Sequence, residues 1–372
     1  MSEDRLLLFL EHAPYSQEQG AWPFDTTLVA KLIDADVGHP ATANGQSLEG
    51  AEAPRLIDEV LETSDPHLQT GTAFREQYCV TDPDRFTRDV KLTTGETVTV
   101  DSYDVIFVSH IWFMNYYIAW LTEEYPDLTV IGIQEESPQD VLSFSPALKS
   151  RHLECLRSFD GYVTFTEEFD QWVGEIVSPT RHIPLPVPEA HFHGVVPPDD
   201  REGIIVGVGT WNLDYSNFYT GSLAVAGLVD RGFDVEGEII GIKDWQESHV
   251  ISNDRIDYRG FLNDGFYEYL AGFELAILPT MRSTAGRISA ELAGVGVPCI
   301  GNRHNDLQRR CWPELSIHPL DTSSAVELAV ELLTDEEFYD DCVEQARTEL
   351  AALQRHDSFE RVLEGLIQDA KQ

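Results

Sequence analysis

Short apolar runs alternate with amphipathic stretches along most of the chain. RLLLFL (5–10) opens as a strand, and TLVAKLIDAD (27–36) follows with helical periodicity. Positions 38 to 95 are less legible. They hold one amphipathic helix, APRLIDEVLET, and then polar sequence leading into KLTTGETVTV (91–100), which fits a hairpin. From 104 the rhythm is plain. DVIFVSH reads as a strand, MNYYIAWLTEEY as a helix, LTVIGIQ as a strand and SPALKSRHLECLRSF as a helix. GYVTF, TEEFDQWVGEIV and RHIPLPV then give strand, helix and strand. Such runs between amphipathic helices predict a parallel sheet covered on both faces.

PLPVPEAHFHGVVPPDDREG, rich in proline and polar residues, interrupts the rhythm as a linker. The alternation then restarts. GIIVGVG is a strand, YTGSLAVAGLVDRG a helix, EGEIIGIK and RIDYRGF strands, DGFYEYLAGF a helix and FELAILPT a strand. A helix over 286–295, a VPCI strand and three helical segments complete the chain. The expected fold class is α/β: two Rossmann-like, doubly wound parallel-sheet domains facing a cleft, with a helical C-terminal tail. The expected boundaries are 1–190 for the first domain, 191–202 for the linker and 203–350 for the second. Residues 351–372 form a last helix with the option of crossing back to the first domain. In such sheets ligands sit beyond the carboxyl ends of the strands.

Length agrees: 372 residues exceed one ordinary core. No apolar run approaches the roughly 20 residues of a membrane span, so no transmembrane segment is expected. The opening MSEDRLLLFL carries Glu3 and Asp4 and reads as a strand, not a signal peptide. The formal net charge is −40, and the lysines are five: Lys31, Lys91, Lys149, Lys243 and Lys371. Acid spread over every helical segment fits a salt-rich cytoplasm, where self-repulsion is screened within about 3 Å at 1 M salt. An acidic patch for a basic partner is the other reading. With no basic stripe, nucleic acid is excluded as a partner. Cys79, Cys155, Cys299, Cys311 and Cys342 are scattered without zinc-ligand spacing and read as buried thiols.

The richest segment is RSTAGRISAELAGVGVPCIGN (282–302). FELAILPT brings the chain to the sheet edge, and Gly286 suits the turn into the helix. The amides near Arg287 and Ile288 then form an anion-attracting helix start. Ile288, Leu292 and Val295 make the buried stripe. Glu291 lies about one turn in, beside that stripe. It reads either as an acid complementing the helix dipole or as an acceptor for ribose hydroxyls.

A strand ending in Leu-Pro-Thr, a loop with glycine and then AELAGVGVPCI together resemble the donor-site segment of family 4 glycosyltransferases, retaining enzymes of the GT-B fold. GIIVGVGTWNLDYSNFYTGSLAVAGL is similar to that family's first donor-domain strand, loop and helix, and RIDYRGFLNDGFYEYLAGFELAILPT to its following passage. About half the chain is covered well and the rest in architecture. The resemblance implies that Glu291 contacts the donor ribose and that Gly286, Arg287 and Ile288 meet the phosphates through backbone amides. Ser283 and Thr284 line the same loop, and Gly209 ends the first donor-domain strand. The chain departs from the pattern twice. Ser283 stands where the family has its first glutamate, and TWNLDYSNFY lacks the usual Arg and Lys that neutralise the leaving diphosphate.

That positive charge is the main catalytic term in metal-free transfer, and one lost donor typically costs ~3 kcal/mol. Arg282 and Arg287 flank the phosphate loop and are the preferred replacements. Lys243, at a strand end, is a further candidate, and Arg309 and Arg310 read as surface residues. On the first half, His110 ends DVIFVSH and is a candidate for orienting the acceptor, or else a satisfied histidine under a helix. The nearby Trp112, Phe113, Tyr116 and Tyr117 read as core. Glu135 and Glu136 are adjacent in one loop, a poor arrangement for two-carboxylate hydrolysis. GVGTWN has the wrong glycine spacing for a dinucleotide fingerprint.

The expected activity is transfer of a sugar from a nucleotide-diphosphate-sugar, with retention, without metal or other cofactor. The acceptor is a glycan, a lipid-linked molecule or a small molecule. The alternatives are a non-catalytic GT-B binding protein and a sugar-nucleotide epimerase.

Overall fold

The computed structural model describes residues 4–9, 29–40, 88–92, 94–109, 115–134, 138–143, 146–187, 192, 194–198, 200–208, 217–241, 254–260, 262, 265–355 and 357–372. His110, Trp112, Phe113, Glu135, Glu136, Gly209 and Lys243 lie outside these residues, as does all of TWNLDYSNFY except its final Asn217–Tyr219. The chain divides into two compact units, Met1–Pro186 with His356–Gln372, and Val187–Arg355.

The first unit is built on an eight-stranded sheet of order β4-β3-β2-β1-β5-β6-β7-β8. Its strands are β1 (Leu6–Phe9), β2 (Asp36–Pro40), β3 (Asp89–Leu92), β4 (Thr97–Thr99), β5 (Val105–Ser109), β6 (Thr129–Gln134), β7 (Gly161–Thr164) and β8 (Thr180–His182). β2-β1-β5-β6-β7-β8 pair parallel, as the apolar runs predict. The β3–β4 ribbon is the expected hairpin, and it joins the sheet antiparallel through β2. Strand β2 begins at Asp36, the last position of the helix expected over 27–36, and runs into the less legible stretch, where the expected helix APRLIDEVLET and Cys79 lie outside the described residues. Helices α1 (Asn115–Glu124), α2 (Pro138–Ser143), α3 (Pro146–Leu156) and α4 (Glu167–Val173) connect the parallel strands. Thr166 caps α4 by accepting the Phe169 amide, and the helix stops at Gly174, before the expected end. The core gathers Leu7, Ile106, Val108, Ile118, Leu121, Val130, Tyr162 and Phe169.

The second unit carries a six-stranded, all-parallel sheet of order β11-β10-β9-β12-β13-β14. The strands are β9 (Ile204–Val208), β10 (Gly237–Ile240), β11 (Ile256–Arg259), β12 (Leu275–Leu278), β13 (Cys299–Asn302) and β14 (Ser316–Ile317). Both faces are covered, so β12 and β13 are buried at every position. The helices are α5 (Phe218–Asp230), α6 (Phe266–Leu270), α7 (Arg287–Val295), α8 (Asp306–Cys311), α9 (Thr322–Thr334) and α10 (Glu336–Leu353). Asp321 and Asp335 cap α9 and α10 by accepting first-turn amides.

The final helix, α11 (Asp357–Ala370), belongs to the first unit and packs on β6, β7 and β8. Leu363 and Leu366 are buried there, with Leu366 close against Gly161. Among the described residues no helix is long and apolar enough to cross a membrane.

Candidate functional site

The site is built where β12 ends. Its buried LAIL run delivers the chain to Pro279, and the segment from there to Gly286 is tied down by three asparagines. Asn217, ahead of α5, donates its amide to the carbonyls of Pro279 at 2.7 Å and Pro319 at 2.6 Å. Asn302, the last residue of β13, donates to the carbonyls of Thr280 at 2.9 Å and Arg282 at 3.0 Å. Asn305 donates to the Thr280 hydroxyl at 3.1 Å and accepts the Thr284 amide at 2.9 Å. Buried polar backbone must be paired, and a side-chain amide can do this at a strand end where no ladder continues. Sequence reasoning missed all three. The available signal was an asparagine directly ending each of two apolar or turn segments at the carboxyl edge of the sheet.

Gly286 adopts φ +79°, and a Cβ there would lie 3.0 Å from Asn305 Cβ. Both the left-handed backbone and the close approach require glycine. Gly286 is the N-cap of α7, and no side chain caps the helix start. The Gly286 amide donates to the Thr284 hydroxyl at 3.2 Å, and the Leu307 amide donates to the Ala285 carbonyl at 2.9 Å. The buried residues of α7 are Ser289, Ala290, Glu291, Leu292, Ala293 and Val295. Ile288, expected in the buried stripe, is instead half-buried, because small residues at 289, 290 and 293 let neighbouring elements approach on that side.

Glu291 is buried, its side chain 9% exposed. Arg287, one turn earlier, donates from Nε to Glu291 Oε1 at 2.8 Å. Tyr267, from α6, donates its hydroxyl to the same oxygen at 3.1 Å. Burial pushes the Tyr267 phenol up from its ordinary value, the Glu291 charge adds to this, and Arg287 opposes it. Phe192 packs edge-on against Tyr267, with ring centroids 5.2 Å apart, and over Gly294. Tyr267 and Phe192 were not among the sequence candidates.

Arg282, Ser283, Thr284, Gly286, Arg287, Ile288 and Glu291 thus sit on one loop–helix junction. Ser283 is buried, and its hydroxyl donates to the His304 carbonyl at 3.0 Å. It serves the loop's own structure. Arg282 is half-buried, with its carbonyl held by Asn302. Arg309 pairs with Asp306 at 2.9 Å, and Arg310 is exposed, the surface positions expected of both. Among the described residues no three His, Cys, Asp or Glu side chains converge as metal ligands, and the metal-free reading rests on the sequence resemblance alone. Chemically, the junction offers a buried carboxylate with one oxygen already engaged, next to an uncapped helix start.

No protein-family model matches the chain, and no curated protein sequence matches it. Solved structures do. A sucrose-phosphate synthase from Thermosynechococcus elongatus aligns over 98% of each chain at 12% identity with a TM-score of 0.66. The trehalose-6-phosphate protein from E. coli bound with UDP-2-fluoro glucose aligns over 99% of each at 12% identity, TM-score 0.64. A UDP-forming trehalose-phosphate synthase from Burkholderia xenovorans, in complex with glucose-6-phosphate, aligns over 72% of this chain and 74% of its own at 11% identity, TM-score 0.57. The chain has the GT-B fold. These neighbours support the GT-B likeness and not the narrower one to family 4.

Proposed function

We propose that this chain is a glycosyltransferase that moves a sugar from a nucleoside-diphosphate-sugar to an acceptor hydroxyl, with retention. The observation that carries the reading is Glu291: a buried carboxylate beside the uncapped start of α7, at the carboxyl edge of the second sheet of a GT-B fold. In this reading Glu291 accepts hydrogen bonds from the donor ribose. The amides at 286–288 and the positive end of the helix dipole hold the diphosphate.

Arg282 and Arg287 supply the positive charge that the leaving diphosphate needs, in place of the cations missing from the loop after β9. The narrower likeness to family 4 in AELAGVGVPCI supports the retaining outcome. His110, Gly209 and Lys243 stay in the proposal as acceptor-side and donor-side candidates. The bound UDP-sugar and glucose-6-phosphate of the neighbours make a uridine donor and a sugar-phosphate acceptor the first pair to test. The charge of −40 supports a cytoplasm rich in salt, so assays belong in molar KCl.

One observation favours a second reading, a binding protein without catalysis. Ser283 takes the place of a carboxylate and is turned into the loop toward His304. Calorimetry and product analysis with UDP- and GDP-sugars, with and without sugar phosphates, separate the readings. Transfer to an acceptor, or slow donor hydrolysis, is the expected result. Binding without turnover leaves the non-catalytic protein, and interconversion of the free donor indicates an epimerase. Glu291→Ala is expected to abolish nucleotide binding. An unchanged affinity removes the ribose role and the reading with it.

A further inference from the structure

Glu291 is gripped at one oxygen only. Arg287 Nε and the Tyr267 hydroxyl both donate to Oε1, at 2.8 and 3.1 Å. The Arg287 charge also opposes the upward shift of the Tyr267 phenol, as expected of two donors that meet on one carboxylate oxygen. Oε2 accepts nothing from the described residues. A carboxylate has acceptor capacity on both oxygens, and Glu291 is not among the residues with a buried unpaired side-chain atom, so Oε2 stays accessible to solvent or to a ligand.

The two donors differ in what they fix. Arg287 lies on the same helix as Glu291, four residues away, so it restrains the carboxylate only relative to its own helix. Tyr267 comes from a separate helix, α6. Its ring is held by the edge-on Phe192, and Gly294, without a side chain, leaves the space that Phe192 fills. Fixing a long side chain in advance removes an ordering cost that binding must otherwise meet. A site built to bond a hydroxyl also rejects the analogue that lacks it, because its buried acceptor is then left unpaired.

We infer that Tyr267 is a positioning residue: by holding Oε1 from a second helix it presents Oε2 to the vicinal hydroxyls of a ribonucleoside diphosphate, and so sets the preference for ribo- over dideoxyribonucleotides. This rests on the donor-binding role proposed for Glu291.

The same helix supplies an internal control. Tyr269 makes the same kind of bond, donating to Glu238 Oε1 at 2.5 Å, but at the β10–β11 end of the sheet. The test is calorimetry on the full chain in molar KCl with UDP and 2′,3′-dideoxy-UDP, and with the matching guanine pair. The wild type is expected to favour the ribonucleotide of one pair by at least about tenfold, the scale of a hydrogen bond to a charged group.

Tyr267→Phe keeps the ring against Phe192 and removes the donor. It is expected to lower the preference by about tenfold, equivalent to ~1.4 kcal/mol, with dideoxynucleotide affinity held within about twofold. Tyr269→Phe is expected to leave the ratio unchanged. The inference is overturned if Tyr267→Phe keeps the wild-type ratio, if it weakens both nucleotides equally, or if Tyr269→Phe lowers the ratio as much. A wild type without preference, or a Glu291→Ala variant that retains it, overturns the donor-binding reading itself. The two failures are therefore distinct.

Discussion

The second unit contains the same trio of side chains twice. At the loop–helix junction Arg287 Nε and the Tyr267 hydroxyl meet on Glu291 Oε1; at the other end of the sheet Arg259 Nε and the Tyr269 hydroxyl meet on Glu238 Oε1. Both tyrosines sit on α6, two residues apart. The chemistry is alike and the surroundings are not. Arg287 and Glu291 are 19% and 9% exposed, whereas Arg259 and Glu238 are 48% and 14% exposed, with Arg259 lying over the Tyr269 ring at 4.4 Å. The first trio adjoins a loop clamped by Asn302 and Asn305 and a helix start without a cap. The second sits on neighbouring strands β10 and β11, with β11 at the edge of the sheet. Identical local bonding therefore does not make a site. Burial and a fixed loop beside it distinguish the Glu291 trio.

The sharpest break of this comparison is removal of each arginine. Arg287→Ala leaves a buried carboxylate short of its charged partner and is expected to cost about 3 kcal/mol in chemical unfolding. Arg259→Ala, at an exposed pair, is expected to cost under about 1 kcal/mol. Equal costs at the two positions would erase the distinction drawn from burial.

Next in size is the clamp, which only the Glu291 trio possesses. Asn302→Ala strips a partner from each of the partly buried Thr280 and Arg282 carbonyls and is expected to destabilise by about 1 kcal/mol. Hydrogen exchange should rise at 280–286 and stay constant along β10 and β11. Uniform exchange changes would show that the asparagine serves the whole unit.

Salt sharpens the contrast further. Double-mutant cycles on Arg259–Glu238 are expected to give a coupling below about 1 kcal/mol that vanishes in molar KCl. The Arg287–Glu291 coupling is expected to persist, because buried pairs are screened less. With a chain charge of −40, overall stability should meanwhile rise with salt as self-repulsion is screened. The cycles separate that global gain from the pairwise loss.

The smallest expected effect is alkaline. Burial pushes Tyr269 up to about 12, and its bond to Glu238 adds to this; burial likewise pushes the Cys299 and Cys311 thiols up to about 12. Tyr267 is raised in the same direction. Each native group holds a proton that the unfolded chain releases earlier, so its contribution is complete below the unfolded value and is lost as pH climbs through the folded one. Stability should therefore decline from about pH 9 upward, and Cys299 and Cys311 should resist alkylation at pH 8 until the protein unfolds. Tyrosinate difference spectra of Tyr267→Phe and Tyr269→Phe check the two phenols separately. A phenol at either position that ionises near 10 contradicts the burial described for it.

Much of this protein was determined by its sequence alone. Alternating apolar runs and amphipathic helices specify parallel sheets, because a strand covered on both faces needs apolar residues throughout. LAIL and CIGN are buried at every position for that reason. The hairpin at 91–100 and the glycine turn into α7 were equally legible, since a left-handed backbone at Gly286 is a local demand. Glu291 stood out as an acid in a run of small and apolar residues.

What surrounds Glu291 was decided by tertiary structure. Tyr267 lies 24 residues earlier, on another helix, and nothing in its own neighbourhood distinguishes it from Tyr269. The asparagine clamp joins residues about 20 apart. Ser283 turned inward, and Ile288 is only half-buried. Periodicity records which face of an element is covered. Which polar groups then meet on one atom depends on how separate elements pack, and that information is spread across the chain.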